Sequence, residues 1–309
     1  MKFVSELGFF FLILFVSFWG GVLASGLDRK LTARLQWRKG PPLLQPFYDV
    51  VKLFQKETLV PKGGSVWIFL AAPVLGLIGV GLVAFYLWNA LLRTRGGFSG
   101  DIFVLLYFLL FPSLSVALAG FASKNPLGSL GGSREIKLLL FGELPFLLAV
   151  AVVIIKTEGA IRLSEIIAYQ SHSKPLLVSG SGFLAFWIAL FSAQAKLGWV
   201  PFDLPEAETE IMGGPYLEYS GSPLAVFRIM RMMLLFTFPI LLVLLFWGGM
   251  RWQGVSILFS LLKWMVVFLI FVLLRNTNPR IRIDQAMKWF WGPLAGIGCI
   301  AVILALRGI

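Results

Sequence analysis

The sequence predicts an all-α protein, a polytopic transmembrane bundle of about eight helices with a cytoplasmic amphipathic helix in its first connection. Three observations support this fold class. Hydrophobic residues make up 58% of the 309 residues, the mean hydropathy is +0.87, and charged residues make up only 14%. The apolar runs are too long and too numerous for a soluble domain. We therefore expect residues 1–309 to form a single integral membrane domain.

Long apolar runs define the predicted spans. They lie at 3–27, 66–92, 101–122, 137–156, 182–198, 223–247, 254–275 and 289–306. At about 1.5 Å per residue, the first run is long enough to cross a hydrocarbon core of about 30 Å. It is also longer than the hydrophobic region of a signal peptide, so we interpret it as the first transmembrane helix.

The basic residues predict the orientation. Sixteen of the 27 Lys and Arg residues fall in odd-numbered connections and six in even-numbered ones. By the positive-inside rule, the odd connections are cytoplasmic and both termini lie outside the inner (plasma) membrane. The net charge of +12 therefore reflects topology. We expect contact with the lipid bilayer and none with nucleic acid, because the bases sit in short connections rather than on one face.

Redox cofactors need ligands that this chain lacks. It has one cysteine, Cys299, and one histidine, His172. Iron–sulfur clusters, structural zinc and bis-histidine haem each need several such ligands. The sequence therefore predicts no catalytic residue, cofactor or metal in this chain and places any redox centre on a partner subunit.

The first connection contains an amphipathic segment at 44–57. Its apolar residues recur at helical spacing: Phe47, Val50, Val51 and Phe54. One interpretation is a surface helix that binds lipid headgroups. The other is a docking platform for a soluble partner, whose two basic arms meet at the Gly40-Pro41-Pro42 break. The charged residues of that platform are Arg34, Arg38, Asp49 and Lys52.

A third of the 15 acidic residues fall in one connection, which we call the acidic loop. They are Asp203, Glu206, Glu208, Glu210 and Glu218. The prolines predict a helical turn with Asp203 as its N-cap, Glu206 and Glu210 on one face, and an end at Gly213-Gly214-Pro215. These acids either line a charged entrance to an intramembrane ion path or neutralise the basic connections at the surface.

Glu143 lies within the fourth span, beside Pro145. A carboxylate at that depth is costly unless it is neutral, paired or hydrated, which suits a proton relay. The alternative is a protonated Glu143 bonded to a carbonyl left without a donor by Pro145. Arg134, in the preceding connection, is the expected partner.

Three basic residues also lie within predicted spans. Arg228 and Arg231 are three residues apart and so share a helix face. Both are expected to face the acidic loop, although Arg228 can also snorkel to the headgroups. Lys263 lies near the middle of the seventh span and, unlike arginine, can release its proton.

Several of these motifs resemble a known family. The runs at 38–57, 201–221 and 278–291 resemble the eight-helix core membrane subunit of respiratory complex I. They also resemble its relatives in membrane-bound nickel–iron hydrogenases and the related sulfane sulfur reductase. The segment 123–143 aligns Arg134 and Glu143 with a family arginine and intramembrane glutamate.

The resemblance implies a role and partners. This subunit abuts the soluble electron-transfer arm and starts a chain of buried charges, to which Glu143 and the five acids of the acidic loop belong. Arg280, Arg282 and Asp284 match a cytoplasmic loop packed near that arm. The implied partners are soluble hydrogenase-like large and small subunits, which carry the nickel–iron site and iron–sulfur clusters, and antiporter-like membrane subunits.

Departures from the family pattern favour one branch. Gly198 and Trp199 stand where quinone-using members have Asn-Arg, and Arg231 and Met232 stand where they have Glu-Tyr. We therefore expect an energy-converting nickel–iron hydrogenase-type subunit that couples redox chemistry to proton or sodium translocation. The alternatives are a complex I quinone-chamber subunit, a sulfane sulfur reductase subunit, a passive anchor and a stand-alone transporter.

Overall fold

The computed structural model describes residues 2–92, 100–250, 252 and 254–309, with side chains from Glu6 onward. These residues form thirteen α-helices and no strand. The helices are α1 (Lys2–Leu35), α2 (Gln45–Phe54), α3 (Val66–Leu92), α4 (Asp101–Phe108), α5 (Phe111–Ala122), α6 (Pro126–Lys156), α7 (Leu163–His172), α8 (Gly180–Lys196), α9 (Glu208–Ile211), α10 (Gly221–Phe246), α11 (Ser256–Thr277), α12 (Ile283–Trp289) and α13 (Ala295–Leu306).

Seven helical stretches in the described part of the chain are long and apolar enough to cross a membrane. They are Glu6–Leu35, Val66–Leu92, Asp101–Ala122, Pro126–Lys156, Gly221–Phe246, Ser256–Thr277 and Ile283–Leu306. The remaining predicted span, 182–198, corresponds to the 17-residue helix α8. The prediction of a polytopic helical bundle is therefore confirmed. The orientation stays a prediction, and Arg93, Arg95 and Arg251, three of the six bases counted in the even connections, lie outside the described residues.

The ends of several helices differ from the predicted spans. Helix α1 continues to Leu35, and α6 begins at Pro126 rather than at 137. Hydropathy detects the apolar part of a helix, whereas charged and polar turns continue it without a break in backbone hydrogen bonding. The last span contains a π-helical turn, Phe290–Leu294, that includes Pro293, because proline removes a helical donor.

The helices fall into two compact units. Unit 1 comprises Met1–Phe85, Tyr107–Lys137 and Asp203–Thr237. In it, glycine allows close helix approach: a Cβ on Gly21 of α1 would lie 2.6 Å from the backbone of Met232 of α10. The acidic loop is fixed to α3 by Tyr219, whose hydroxyl donates to the carbonyl oxygen of Phe69 at 2.8 Å. Burial raises the pKa of Tyr219, which keeps this donor protonated.

Unit 2 comprises Tyr86–Leu106, Leu138–Phe202 and Phe238–Ile309. Gln170 of α7 closes the end of α10 because its amide donates to the carbonyl oxygens of Leu244 and Leu245, both at 3.1 Å. Its amide oxygen accepts from the backbone N–H of Gly248 at 2.9 Å. We expected residues 1–309 to form a single domain. The division into two compact units does not test this expectation, which stays a prediction.

The amphipathic helix α2 packs within unit 1 through part of the predicted apolar face, that of Phe47 and Val50. It buries Val50 and Leu53 against Val22 of α1 and Met232 of α10. Val51 and Phe54, predicted to belong to one apolar face with Phe47 and Val50, are exposed. Helix α2 thus has a second apolar face turned away from its own unit, which sequence spacing alone does not separate from the first.

Candidate functional site

The acidic loop is a succession of short turns rather than one helical turn. Leu204–Glu206 forms a 3-10 turn and Glu208–Ile211 forms α9. The predicted N-cap position of Asp203 is confirmed, with Pro205 in the first turn, but the Asp203 side chain makes no capping hydrogen bond. The predicted end is confirmed: Met212 and Gly213 adopt left-handed conformations, which stop α9.

Two arginines of unit 1 bind the acidic loop. Arg134 of α6 donates to Glu210 at 2.6 Å and to the carbonyl oxygen of Leu204 at 3.4 Å. Arg231 of α10 donates to Glu206 at 2.7 Å and to the Tyr216 hydroxyl at 3.1 Å. Glu206 and Glu210 therefore have different partners. They also belong to separate turns, Leu204–Glu206 and α9, so the predicted shared face of one helical turn does not form.

The remaining acids of the loop have distinct environments. Glu218 accepts a hydrogen bond from the Asn125 amide at 2.6 Å. Asp203 is half-buried, and Glu208 is exposed on α9. The expected pairing of Arg231 with the acidic loop is confirmed. Arg228, the other basic residue of α10, is exposed instead.

Glu143 is paired, but with a residue that sequence reasoning missed. Its carboxylate accepts a hydrogen bond from the ammonium of Lys196, at the end of α8 in unit 2. The predicted pairing of Glu143 with Arg134 is wrong, because Arg134 binds Glu210. The interpretation of Glu143 as a protonated acid bonded to a carbonyl near Pro145 is also replaced by this ion pair.

The Glu143–Lys196 pair is sequestered. The Lys196 side chain is 5% exposed and that of Glu143 is 20% exposed. The ammonium lies 5.5 Å from the centre of the Phe146 ring, a cation–π contact. An ion pair in such surroundings responds strongly to any nearby change of charge, because little solvent screens it.

Polar groups extend from Lys196 along α8. Ser192 lies one helical turn before Lys196, on the same face. Its hydroxyl oxygen and the Gln194 amide oxygen are buried with no hydrogen-bond partner among the described residues. The Gln194 amide nitrogen donates to the carbonyl oxygen of Val200 at 2.8 Å. Buried acceptors of this kind bind ordered water in proteins, so this part of unit 2 is suited to hydration.

Lys263 binds the end of a neighbouring helix. Its ammonium donates to the carbonyl oxygens of Trp247, at 2.7 Å, and Gly249, at 3.5 Å, which follow α10. Lys263 is the eighth residue of the 22-residue α11, and its expected position near the middle of the span stays a prediction. A cation is favoured at this position because helix C-termini carry partial negative charge.

The residues assigned to the soluble-arm interface are mostly exposed. Arg34, Arg38, Lys52, Arg280, Arg282 and Asp284 are all exposed. Asp49 is half-buried on α2 and accepts hydrogen bonds from Arg29 at 2.6 Å and Gln45 at 3.0 Å. Whether this surface contacts a soluble arm stays a prediction, as does the absence of a cofactor from the chain.

Asp49 provides a pH test of the packing of α2. Partial burial alone would raise its pKa, but the hydrogen bonds from Arg29 and Gln45 and the charges of Arg29 and Arg228 outweigh burial and lower it. The ionised Asp49 therefore stabilises the folded state fully above the pKa of about 3.9 that it has in the unfolded chain. This stabilisation is lost only as the pH falls through the lower pKa that Asp49 has in the folded protein.

We expect Asp49→Asn to lower the free energy of unfolding by about 0.2–1 kcal/mol, because the pair is partly exposed. The loss should be the same at every pH from 5 to 8, measured by thermal unfolding of the purified complex. A loss that grows or shrinks across that range would show that Asp49 titrates there and contradict the lowered pKa.

Gly131 of α6 supports the acidic loop by its lack of a side chain. A Cβ at Gly131 would lie 2.4 Å from Pro215 Cδ and 2.9 Å from the carbonyl oxygen of Pro205. We expect Gly131→Ala to displace the loop and to cost about 1–3 kcal/mol of stability. Limited proteolysis within the loop and thermal unfolding would measure both effects.

Gly296→Ala is the matched control for that substitution. Gly296 lies in α13, and its added Cβ would meet no atom within 4 Å. Alanine is favoured over glycine inside a helix, so this variant should be at least as stable as the wild type. Equal behaviour of the two variants would contradict the close contact between α6 and the acidic loop.

The chain is similar to known membrane subunits over nearly its whole length. Residues 7–306 match a family model described as NADH dehydrogenase. One subunit of the NADH-quinone oxidoreductase of Anoxybacillus flavithermus is 34% identical, covering 92% of this chain and 87% of that protein. The equivalent protein of Geobacillus thermodenitrificans, which carries the same name, is 32% identical, covering 90% and 86%.

A solved structure is similar as well. A chain of the membrane-bound sulfane sulfur reductase, described as an archaeal respiratory membrane complex, superposes with a TM-score of 0.87 at 27% identity. The match covers 96% of this chain and 98% of that one. Together, these similarities confirm the resemblance inferred from the motifs.

Proposed function

Because the chain belongs to the NADH dehydrogenase family, we propose that it is the quinone-chamber membrane subunit of a complex I-type NADH-quinone oxidoreductase. In this role it anchors the soluble electron-transfer arm and couples redox chemistry to ion translocation. The comparisons favour this alternative over the hydrogenase-type interpretation, because the similar curated proteins that cover most of the chain are subunits of NADH-quinone oxidoreductases.

The sequestered Glu143–Lys196 pair is the observation that carries the proposal. A lysine and a glutamate in contact can exchange a proton between Nζ and the carboxylate oxygen, passing between a charged and a neutral pair. A further charge brought near the pair shifts this balance. An incoming proton or cation binds the Glu143 carboxylate and breaks the ion pair. Lys196, left without its counter-charge, then releases a proton from Nζ to the polar groups along α8.

The acidic loop is the proposed receiver of redox-driven charge. Its turns are bound by Arg134 and Arg231, so a change of charge at the soluble arm alters the competition for these arginines. The loop follows Lys196 in the chain, and α6 carries both Arg134 and Glu143. Through these connections, rearrangement of the loop would bias the Glu143–Lys196 pair.

A quinone-independent sulfur reductase is the second candidate. Trp199 stands where quinone-using members carry arginine, and its ring lies 4.6 Å from the Arg275 guanidinium carbon. Arg231 replaces a family acid and pairs with Glu206. The structural similarity to a chain of the sulfane sulfur reductase, with a TM-score of 0.87, also supports this candidate.

The partners and orientation belong to the same proposal. We expect a soluble electron-transfer arm on the side of the acidic loop and antiporter-like subunits within the membrane. Iron–sulfur clusters would lie on the soluble partners, as would a nickel–iron site in a hydrogenase-type complex. With the odd-numbered connections cytoplasmic, both termini lie outside.

Purification of the assembled complex through a tag on this chain tests the proposal. Mass spectrometry would identify the partners, and the complex would be assayed for NADH-driven quinone reduction, sulfur reduction and hydrogen evolution. Quinone reduction blocked by quinone-site inhibitors is the expected result. Sulfur reduction alone would establish the second candidate, and hydrogen evolution with bound nickel would restore the hydrogenase hypothesis. A chain that purifies alone and transports ions by itself would overturn all three.

A further inference from the structure

We propose that unit 2 contains a binding site for one anionic phospholipid. The site is a cavity of about 420 Å³, where the end of α8 and the segment after it meet the segment that leads into α12. Its volume falls within the range of about 300–1,000 Å³ that small-molecule sites occupy. Glu143 and Lys196 do not line it, and of the acidic loop only Pro201 and Phe202, which precede the acids, do.

The cavity is apolar and is held open by fixed contacts. Six of its eight lining residues are apolar or aromatic, among them Phe191, Phe202, Ile281 and Trp289. The Phe191 and Trp289 rings pack edge to face at 5.9 Å. The backbone N–H of Ile281 donates to the carbonyl oxygen of Pro201 at 3.3 Å, which joins the two segments. A preformed apolar cavity of this kind receives a hydrocarbon chain without first having to open.

Two amides add polar groups to the wall. The Gln285 amide oxygen accepts a hydrogen bond from the backbone N–H of Arg282 at 3.0 Å. This contact uses the amide oxygen of Gln285 and leaves its NH₂ group to donate to a ligand. The Asn278 amide nitrogen donates to the carbonyl oxygen of Leu274 at 2.9 Å. The cavity can therefore donate a hydrogen bond from Gln285 to a phosphate or ester oxygen and accept one at Asn278.

The basic residues next to the cavity in the chain favour an anion. Arg282, Gln285 and Trp289 follow the spacing i, i+3, i+7 and so lie on one side of α12. Arg282 is exposed, as are Arg280 and Lys288 nearby, against one acid, Asp284. Guanidinium groups bind phosphate through paired charge-assisted hydrogen bonds, so we assign Arg282 to the headgroup. The soluble-arm contact expected of this connection is then left to Arg280 and Asp284.

The surface beyond the cavity favours a lipid over a peptide. Trp289 and Trp291 are exposed where the last membrane-spanning stretch begins, as aromatic residues are at a membrane interface. Along the following helix, Ile297, Ile300 and Ile303 are also exposed. An amphiphile with its phosphate at Arg282 and its chain in the cavity would lie against this continuous apolar surface.

Photocrosslinking in the assembled complex tests the site. The probe is a phosphatidylglycerol with a photoreactive group on its acyl chain, in vesicles that otherwise hold a zwitterionic phospholipid. We expect crosslinks on the peptides that contain Phe191 and Ile281. Inorganic phosphate should not compete, because it has no chain for the cavity.

Three variants complete the test. Arg282→Gln should reduce crosslinking by about tenfold, as expected for loss of a charge-assisted hydrogen bond. Lys288→Gln removes the same charge from another side of α12 and should change crosslinking little. Ile281→Phe fills the cavity and should reduce crosslinking even if Arg282 is intact. Equal losses in the two charge variants, or lipid crosslinks confined to partner subunits and absent from these peptides, would overturn the assignment.

Discussion

Replacing Glu143 with Gln is expected to leave the complex assembled and to abolish most of its coupled turnover. The Lys196 ammonium loses its counter-charge, which lowers stability. The amide oxygen of the new side chain still accepts a hydrogen bond from Lys196, so the contact between α6 and α8 survives. What disappears is the carboxylate that, in the proposed function, exchanges a proton with Lys196. Ion movement into proteoliposomes, measured together with electron transfer, would report the loss. Wild-type translocation in this variant would remove Glu143 from the mechanism.

The complementary change at Lys196 should be more damaging to the fold. Lys196→Met leaves the Glu143 carboxylate without its cation in a sequestered position. Removing one partner of a buried ion pair costs about 3–5 kcal/mol, because the remaining charge stays desolvated. We expect lower yield of assembled complex and a lower unfolding temperature, in addition to the loss of translocation.

The double variant separates structure from function. Glu143→Gln combined with Lys196→Met removes both charges, and replacing a buried pair by neutral groups is often close to neutral for stability. Assembly should therefore recover, while translocation should stay absent. Recovery of both would mean that the pair is a structural contact only.

The second large effect is expected at Arg231, which binds Glu206 and lies 4.7 Å from the centre of the Tyr216 ring. Arg231→Met removes the ion pair, the hydrogen bond to the Tyr216 hydroxyl and the cation–π contact together. We expect the free energy of unfolding to fall by about 1–3 kcal/mol, because the partly buried Glu206 carboxylate loses its charged partner. Electron transfer from the soluble arm should fall as the acidic loop loses its shape.

A double-mutant cycle would test the contact itself. Arg231→Met, Glu206→Gln and the double variant should give a coupling energy within about 0.5–3 kcal/mol. Glu208→Gln is the control, because Glu208 is an exposed acid of the same loop. A coupling energy near zero, or an equal effect of Glu208→Gln, would indicate that the acids act only through their summed charge.

The sequence predicted the parts of this protein that depend on composition and local pattern. Apolar run length identified the spans, and the clustering of acids identified the acidic loop. The pairing of Arg231 with that loop also followed, because a buried arginine requires an acid and few are available. Each of these inferences uses the identity of residues rather than their packing.

The partners of Glu143 and Arg134 could not be found in the same way. Lys196 lies at the end of an apolar run, so its charge was counted only as a sign of orientation. Its pairing with Glu143 depends on how α8 packs against α6, which no periodicity records. A lysine within the last turn of a span, seven residues before an acidic cluster, is the signal that could have identified it.

Which side of α2 packs inward could not be predicted for a related reason. Tyr48, Val51 and Phe54 have the same helical spacing as the residues that the helix buries. A hydrophobic pattern shows that a helix is amphipathic, but a helix with two apolar faces offers no local sign of which one packs inward. The neighbours on α1 and α10 decide it.

Redox-induced infrared difference spectroscopy of the assembled complex would test the central claim most directly. If electron transfer changes the protonation of the Glu143–Lys196 pair, reduction of the wild-type complex should change the infrared band of a carboxyl group. That band should be absent from Glu143→Gln and retained in Glu208→Gln. The same carboxyl band in wild type and Glu143→Gln would contradict the account, because the buried pair would then be indifferent to electron transfer.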